Sequence, residues 1–185
     1  MIGCRPLTDA ELDILRTHPT LSTRDRTLLI VGATTGFRIS ELLSLRLQDI
    51  TSKHVKVERR NMKGQHSSRT VLLHPEAKAA IEALQYELNL EPHHYLFRSR
   101  EGDNQPLSRS QAYRALTAAF KELGLEGKVA THSLRKYFAN GIYEGSGKDI
   151  VVTQRALGHK SVASTGHYLS FRESEIEAAI LKLRR

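Results

Sequence analysis

Helix signals recur along almost the whole of this chain and are interrupted once, which leaves room for few architectures. Thr8 and Glu11 have capping-box spacing with Leu12 and Leu15 as a buried stripe, and Ser22 with Asp25 repeats the device. Leu28, Leu29, Ile30 and Val31 then make an apolar helix that Gly36 closes in a left-handed cap. A second helix is predicted over 39–46, so Arg38 stands at a helix entrance. The interruption comes at Val55 to Glu58 and Arg69 to Leu73, runs rich in β-branched residues on either side of Asn61-Met62-Lys63-Gly64-Gln65. They predict a small hairpin or sheet edge with Lys63 at or near its turn. Pro75 opens a helix through Leu88 that Glu91-Pro92 ends, and Tyr95 to Phe97 is a short extended piece. A polar loop over 98–108 leads to a helix over 110–123 closed by Gly124. Further helices are predicted over 132–144, 149–157 and 163–168, with an amphipathic tail helix within 172–185. The expected fold is α+β, predominantly helical, with a small antiparallel sheet in a single domain spanning 1–185.

Charge narrows the partner. There are 28 Lys and Arg against 20 Asp and Glu, a net charge of +8, so the surface carries excess positive charge and favours a polyanion. The length of 185 residues and 39% hydrophobic content suit one ordinary core. Cys4 is the sole cysteine and excludes an internal disulfide; with no basic-then-apolar leader, an intracellular protein is expected. No apolar run approaches the roughly 20 residues that span a bilayer, so no membrane partner is expected.

Two phosphate or metal motifs fail on their details. Gly145-Ser146-Gly147-Lys148 ends like a phosphate loop, yet Asp149 replaces the required Ser or Thr and a helix rather than a strand precedes it. It reads as an interhelix loop. His93-His94 has no Cys or carboxylate cluster at ligand spacing, and neither a metal nor a cofactor is expected. Other residues have both a plain and a chemical meaning. Arg38 alone is a surface charge, but after Gly36 and before a helix it joins a guanidinium to backbone donors where an anion is favoured, and Glu41 one turn on can orient it. His132 and Arg135, three apart, project from one helix face beside Leu134, Phe138 and Ile142, which mark the buried side. His159 follows the helix stop Leu157-Gly158 and is a helix cap on the plain reading, as Tyr168 is a core aromatic.

Four fragments in order change that balance: Thr-Gly-x-Arg-x-x-Glu-Leu at Thr35 to Leu42, His-x-x-Arg at His132 to Arg135, Leu-Gly-His at Leu157 to His159, and Thr-x-x-Tyr at Thr165 to Tyr168. Together they resemble the catalytic domain of the tyrosine recombinase, or phage integrase, family. The resemblance covers essentially the whole chain from Leu7. It implies a site-specific recombinase of integrase or invertase type that breaks and rejoins double-stranded DNA through a covalent 3′-phosphotyrosine. Carried onto this sequence, it makes Arg38 and Arg135 the phosphate clamp, Lys63 the candidate acid, His132 and His159 assistants and Tyr168 the nucleophile. It also implies self-association on DNA as a tetrameric synapse, with the tail docking on a neighbouring protomer, in the cytoplasm of a prokaryotic cell or on a mobile element; the tail's apolar stripe equally suits packing on its own domain. The family's usual amino-terminal core-binding domain is expected to be absent from this sequence, since only Met1 to Pro6 precede the first helix signal, so that the chain is either a fragment of a longer integrase or one of the short members that work without that domain.

Elementary chemistry suits these residue types. A phosphodiester under attack gathers charge on its nonbridging oxygens, and planar guanidiniums donate paired hydrogen bonds that lysine cannot copy. Tyrosine, with an ordinary pKa of about 10, needs a positive field and a base to attack near neutrality. The leaving deoxyribose oxygen needs a proton, which a lysine can deliver. A DNA-binding or assembly module without turnover, or type IB topoisomerase-like strand breakage and rejoining, are the competing expectations. A pure binding module has no reason to keep an attacking tyrosine.

Overall fold

The computed structural model describes residues 3–58, 68–166, 168–169 and 180–181. It divides into two compact units, 1–138 and 139–185.

The first unit is organised by α2 (Thr23–Thr35), against which α1 (Asp9–Thr17), α3 (Ile39–Leu43), α4 (Pro75–Leu88) and α5 (Arg109–Glu122) pack. Leu28 to Ala33 are buried throughout, so α2 is a core helix rather than an amphipathic one. Its buried threonines bond within the helix: the Thr27 hydroxyl donates to Thr23 O at 2.8 Å and that of Thr35 to Val31 O at 2.6 Å. Both predicted caps form, with the Thr8–Glu11 box opening α1 and the Ser22 hydroxyl accepting from Asp25 N to open α2. Strands β1 (His54–Val57) and β2 (Arg69–Leu72) pair antiparallel, Val57 opposite Arg69, and β1 buries Val55 and Val57 on alternate positions. The start of α6 (Thr131–Gly145) belongs to this unit, and the Tyr137 hydroxyl donates to Asp9 Oδ1 at 2.8 Å, tying α6 to α1.

Helix α4 spans Pro75–Leu88 as expected, and Asn89, left-handed at φ 46, supplies its stop ahead of Glu91-Pro92. Two other details differ from expectation. The helix predicted over 39–46 stops at Leu43: the Ser44 hydroxyl donates to Glu41 O at 2.7 Å and a 3-10 turn follows at Leu47–Asp49. The extended piece at Tyr95 is a single bridge to Arg46 rather than a strand.

In the second unit α7 (Ile150–Leu157) packs on α8 (Val162–Gly166). The Asp149 carboxylate caps α7, accepting from Val151 N at 2.7 Å and Val152 N at 3.0 Å, and Gly158 closes it at φ 65. Gly145 to Lys148 form the turn between α6 and α7, and Lys148 N donates to Tyr143 O at 2.7 Å. The tail lies outside the described residues, save Ile180 and Leu181.

Two glycines in α2 permit close approach. A Cβ on Gly32 would meet Leu134 Cδ1 at 2.8 Å, so α6 presses directly on α2. Gly36 caps α2 at φ 61, where a Cβ would fall 2.2 Å from Phe138 Cδ1. Gly36→Ala therefore incurs both left-handed backbone strain and overpacking against a buried ring, and is expected to cost about 2 to 4 kcal/mol. Urea denaturation checks this; a loss below about 0.5 kcal/mol, the range of an ordinary surface substitution, contradicts the packing described.

Candidate active site

The turn Thr35–Gly36–Phe37, between α2 and α3, is where the first unit gathers its charged side chains. Arg38 is the N-cap residue of α3, and its backbone N–H donates to Glu41 Oε2 at 2.8 Å while its Nη1 donates to Glu41 Oε1 at 2.8 Å. One carboxylate thus closes the helix entrance and fixes the guanidinium. Glu41 is 1% exposed whereas the Arg38 side chain is 36% exposed, so the pair is anchored inside and offers its cation outward. Arg135 is the largest fully buried side chain among the described residues, and its Nη1 donates to the carbonyl of Gly36. His132, three residues before it, is exposed. The sequence placed both on one face; the long Arg135 side chain instead gives up solvent for the Gly36 acceptor.

Arg69 completes the group and was not among the expected site residues. It is buried, its Nη2 donates to Thr35 O at 3.1 Å, and its guanidinium lies over the Phe37 ring at 4.8 Å. Burial first, then the charge of Arg135, pulls its pKa down to about 10; Glu41 opposes the shift and Arg38 adds to it. Alternation along β2 carried a signal, because Arg69 shares a face with Val71 and the buried Leu73. An arginine on the inward face of a strand needs a reason to be there.

His132 reports the same field. Its ring is hemmed in by protein although the residue keeps exposed surface. Burial and then Arg135, Lys136 and Arg38 hold its pKa below the ordinary histidine value. Both causes favour its neutral form. Arg69 is thus in electrostatic reach of Arg135, Glu41 and Arg38, a concentration of fixed positive charge that favours an anion.

The second unit brings His159 and Tyr168 together. Backbone groups, not the imidazole, finish α7: His159 N donates to Gln154 O at 3.1 Å, and Gln154 Nε2 donates to His159 O at 3.1 Å. The ring turns instead to Thr165, with Nδ1 3.0 Å from Oγ1 of that fully buried residue, and its centroid stands 4.9 Å from the Tyr168 ring. Tyr168 N donates to Thr165 O at 2.9 Å, so Thr165 holds both residues. His93 and His94, by contrast, stack on each other at 4.3 Å in the loop after α4, where His94 Nδ1 accepts from Glu91 N at 3.0 Å. Lys63, the expected acid, and its neighbour His66 lie outside the described residues.

Comparison with known proteins matches this arrangement to a family. The model of the phage integrase family matches residues 7–175, and the chain belongs to that family. It is 35% identical over 157 residues to a Bacillus subtilis (strain 168) protein described as probable integrase/recombinase YoeC, covering 84% of this chain and 82% of that protein. It is also 35% identical over 151 residues to the tyrosine recombinase XerD of Corynebacterium glutamicum, covering 78% of this chain but 47% of the relative. The chain therefore spans about half the length of XerD. Among solved structures, XerA recombinase superposes with a TM-score of 0.79 at 27% identity, over 99% of this chain and 67% of that one. The α+β, predominantly helical fold with its two-stranded sheet is that of a tyrosine recombinase catalytic domain.

The field around His132 has a measurable sign. Since burial and cations penalise the imidazolium, the folded state resists protonation that the unfolded chain accepts. His132 therefore contributes stability that is fully present above the ordinary histidine pKa and is lost as pH falls from there through the lowered one. An NMR titration of its ring is expected to give a midpoint below the reference value of 6.5. A midpoint at or above that value contradicts the charge arrangement.

Proposed function

We propose that this chain supplies the catalytic part of a tyrosine-type site-specific DNA recombinase and acts on double-stranded DNA. The observation that carries the reading is the set of guanidiniums gathered on the Thr35–Phe37 turn, with the buried carboxylate of Glu41 holding that of Arg38. A phosphodiester matches that set, and its nonbridging oxygens accept what planar guanidiniums donate. The order of steps follows from the residue types. The Tyr168 oxygen attacks phosphorus and its proton passes to a base, for which the neighbouring His159 is the candidate. The bond from phosphorus to the 5′ oxygen breaks and that oxygen takes a proton, with Lys63 the candidate donor. A 3′-phosphotyrosine remains, and attack by a 5′ hydroxyl of another strand reverses the step, so rejoining consumes no nucleotide. His132, neutral and beside Arg135, donates to a phosphate oxygen without adding a further charge.

Relatives named as integrase/recombinase, XerD and XerA support the recombinase activity, as does a net charge of +8 that favours a polyanion. Among the described residues no helix is long and apolar enough to cross a membrane. We assign the protein to the DNA of a prokaryotic cell, in keeping with the bacterial and archaeal relatives. Segment 172–185 is assigned to an amphipathic helix that docks on a neighbouring protomer in a tetrameric synapse, from Glu173, Glu175 and Glu177 early and Lys182, Arg184 and Arg185 late around Ile176, Ile180 and Leu183.

The reaction is tested with a nicked suicide duplex built on the site that the protein selects from random sequence. The parent is expected to form a covalent adduct on a denaturing gel, and Tyr168→Phe to form none while binding DNA nearly as well. An adduct that persists in Tyr168→Phe removes this residue from the chemistry.

Arg38→Lys and Arg135→Lys keep charge but lose planar donation. Each is expected to slow single-turnover cleavage by about 100-fold or more, as for the loss of an oxyanion donor. A change below about threefold in both reduces them to ordinary arginines.

A further inference from the structure

Arg69 is a charged group that the steps above leave unused, and its surroundings show what it acts upon. It grips the Thr35–Phe37 turn at two points, accepting no solvent contact of consequence: Nη2 donates to Thr35 O at 3.1 Å and the guanidinium plane covers the Phe37 ring at 4.8 Å. Between those points lies Gly36, whose carbonyl receives Arg135. Immediately after them comes Arg38, tied to Glu41. The turn is thus held by two buried arginines and displays a third. Such a grip is expensive for a purely structural contact, because taking a guanidinium out of water costs several kcal/mol and an apolar side chain of similar volume often fills the same space as well or better. The charge of Arg69 also sits in a cluster where Arg135 and Arg38 repel it and Glu41 attracts it. That repulsion is relieved when a phosphate arrives.

We propose that Arg69 is a positioning residue for strand cleavage: through Thr35 O and the Phe37 ring it fixes the turn that presents Arg38 and anchors Arg135, and its buried charge strengthens the field at the phosphate. Its role is exerted on the turn rather than on the reacting groups. The proposal rests on the recombinase activity argued above. A dedicated role of this kind differs from plain packing in one respect, since it needs the cation and its planar donors as well as the volume.

The test compares the parent, Arg69→Lys and Arg69→Met on the nicked suicide duplex, with thermal melting and noncovalent DNA affinity measured alongside. Arg69→Met keeps the length and fills the space; it is expected to fold and to bind DNA within about threefold of the parent, yet to cleave about 30-fold more slowly in single turnover. Arg69→Lys restores charge without the planar fork and is expected to recover part of that loss. Combining Arg69→Met with Arg38→Lys is expected to slow cleavage by less than the product of the two single effects, because both act through one turn. Cleavage by Arg69→Met within about threefold of the parent overturns the proposal, as does a deficit in Arg69→Met that Arg69→Lys shares in full with its stability unchanged. Should Arg69→Met fail to fold, Arg69→Lys and its coupling to Arg38→Lys decide, and independent effects there overturn it. A parent that forms no covalent adduct refutes the recombinase activity itself, and the role of Arg69 falls with it; an active parent with an indifferent Arg69 refutes the role alone.

Discussion

The first unit depends on one left-handed residue. Gly36 ends α2 at φ 61 and lets Phe138 pack where a side chain would otherwise stand. The reversal sends the chain from a fully buried helix straight into α3, with Arg38 at its cap. It also turns the carbonyls of Thr35 and Gly36 toward Arg69 and Arg135. Helix C-termini leave carbonyls without intrahelical partners and carry partial negative charge. Here guanidiniums take up two of them. A feature of every helix end is in this way made into a fixed array of cations.

The energetics of that array point toward its use. Buried cations are costly, and Arg135 and Arg38 both disfavour the charge of the buried Arg69 while Glu41 favours it. Glu41 is committed twice, to the backbone and to the guanidinium of Arg38. Like charges held this close favour an anion, which is the electrostatic form of complementarity to a phosphoryl group gaining negative charge. His132 fits the same logic by staying neutral. The second unit solves a different problem, orientation, with the buried Thr165 holding the imidazole of His159 through its hydroxyl and the backbone of Tyr168 through its carbonyl.

Local features were legible in the sequence because short-range rules decide them. The Arg38–Glu41 pair is three residues apart across a helix start, and the capping boxes and glycine stops obey the same geometry. His159 beside Tyr168 follows from a helix stop and one short helix between them. Arg69 was missed because its role is set by packing of β2 on the Thr35–Phe37 turn, contacts 34 residues apart in sequence. The burial of Arg135 was missed for the same reason, since helical spacing fixes its direction but not the carbonyl it reaches 99 residues away. Ser44 shortened one helix through a side-chain preference that periodicity alone does not weigh. The assignments of Lys63 and of the tail rest on sequence, as both fall outside the described residues but for Ile180 and Leu181.

The central claim is that the arginines gathered on the Gly36 turn are the seat of a DNA phosphate. A crystal structure of the Tyr168→Phe protein on its selected duplex tests this most directly, because the variant halts the reaction before the backbone is broken. The account predicts one phosphate with its nonbridging oxygens within hydrogen-bonding distance of the Arg38 and Arg135 guanidiniums, with the Arg69 contacts to Thr35 and Phe37 preserved. A DNA backbone that crosses the protein elsewhere, leaving the Gly36 turn empty and Arg38 still paired only with Glu41, would contradict it.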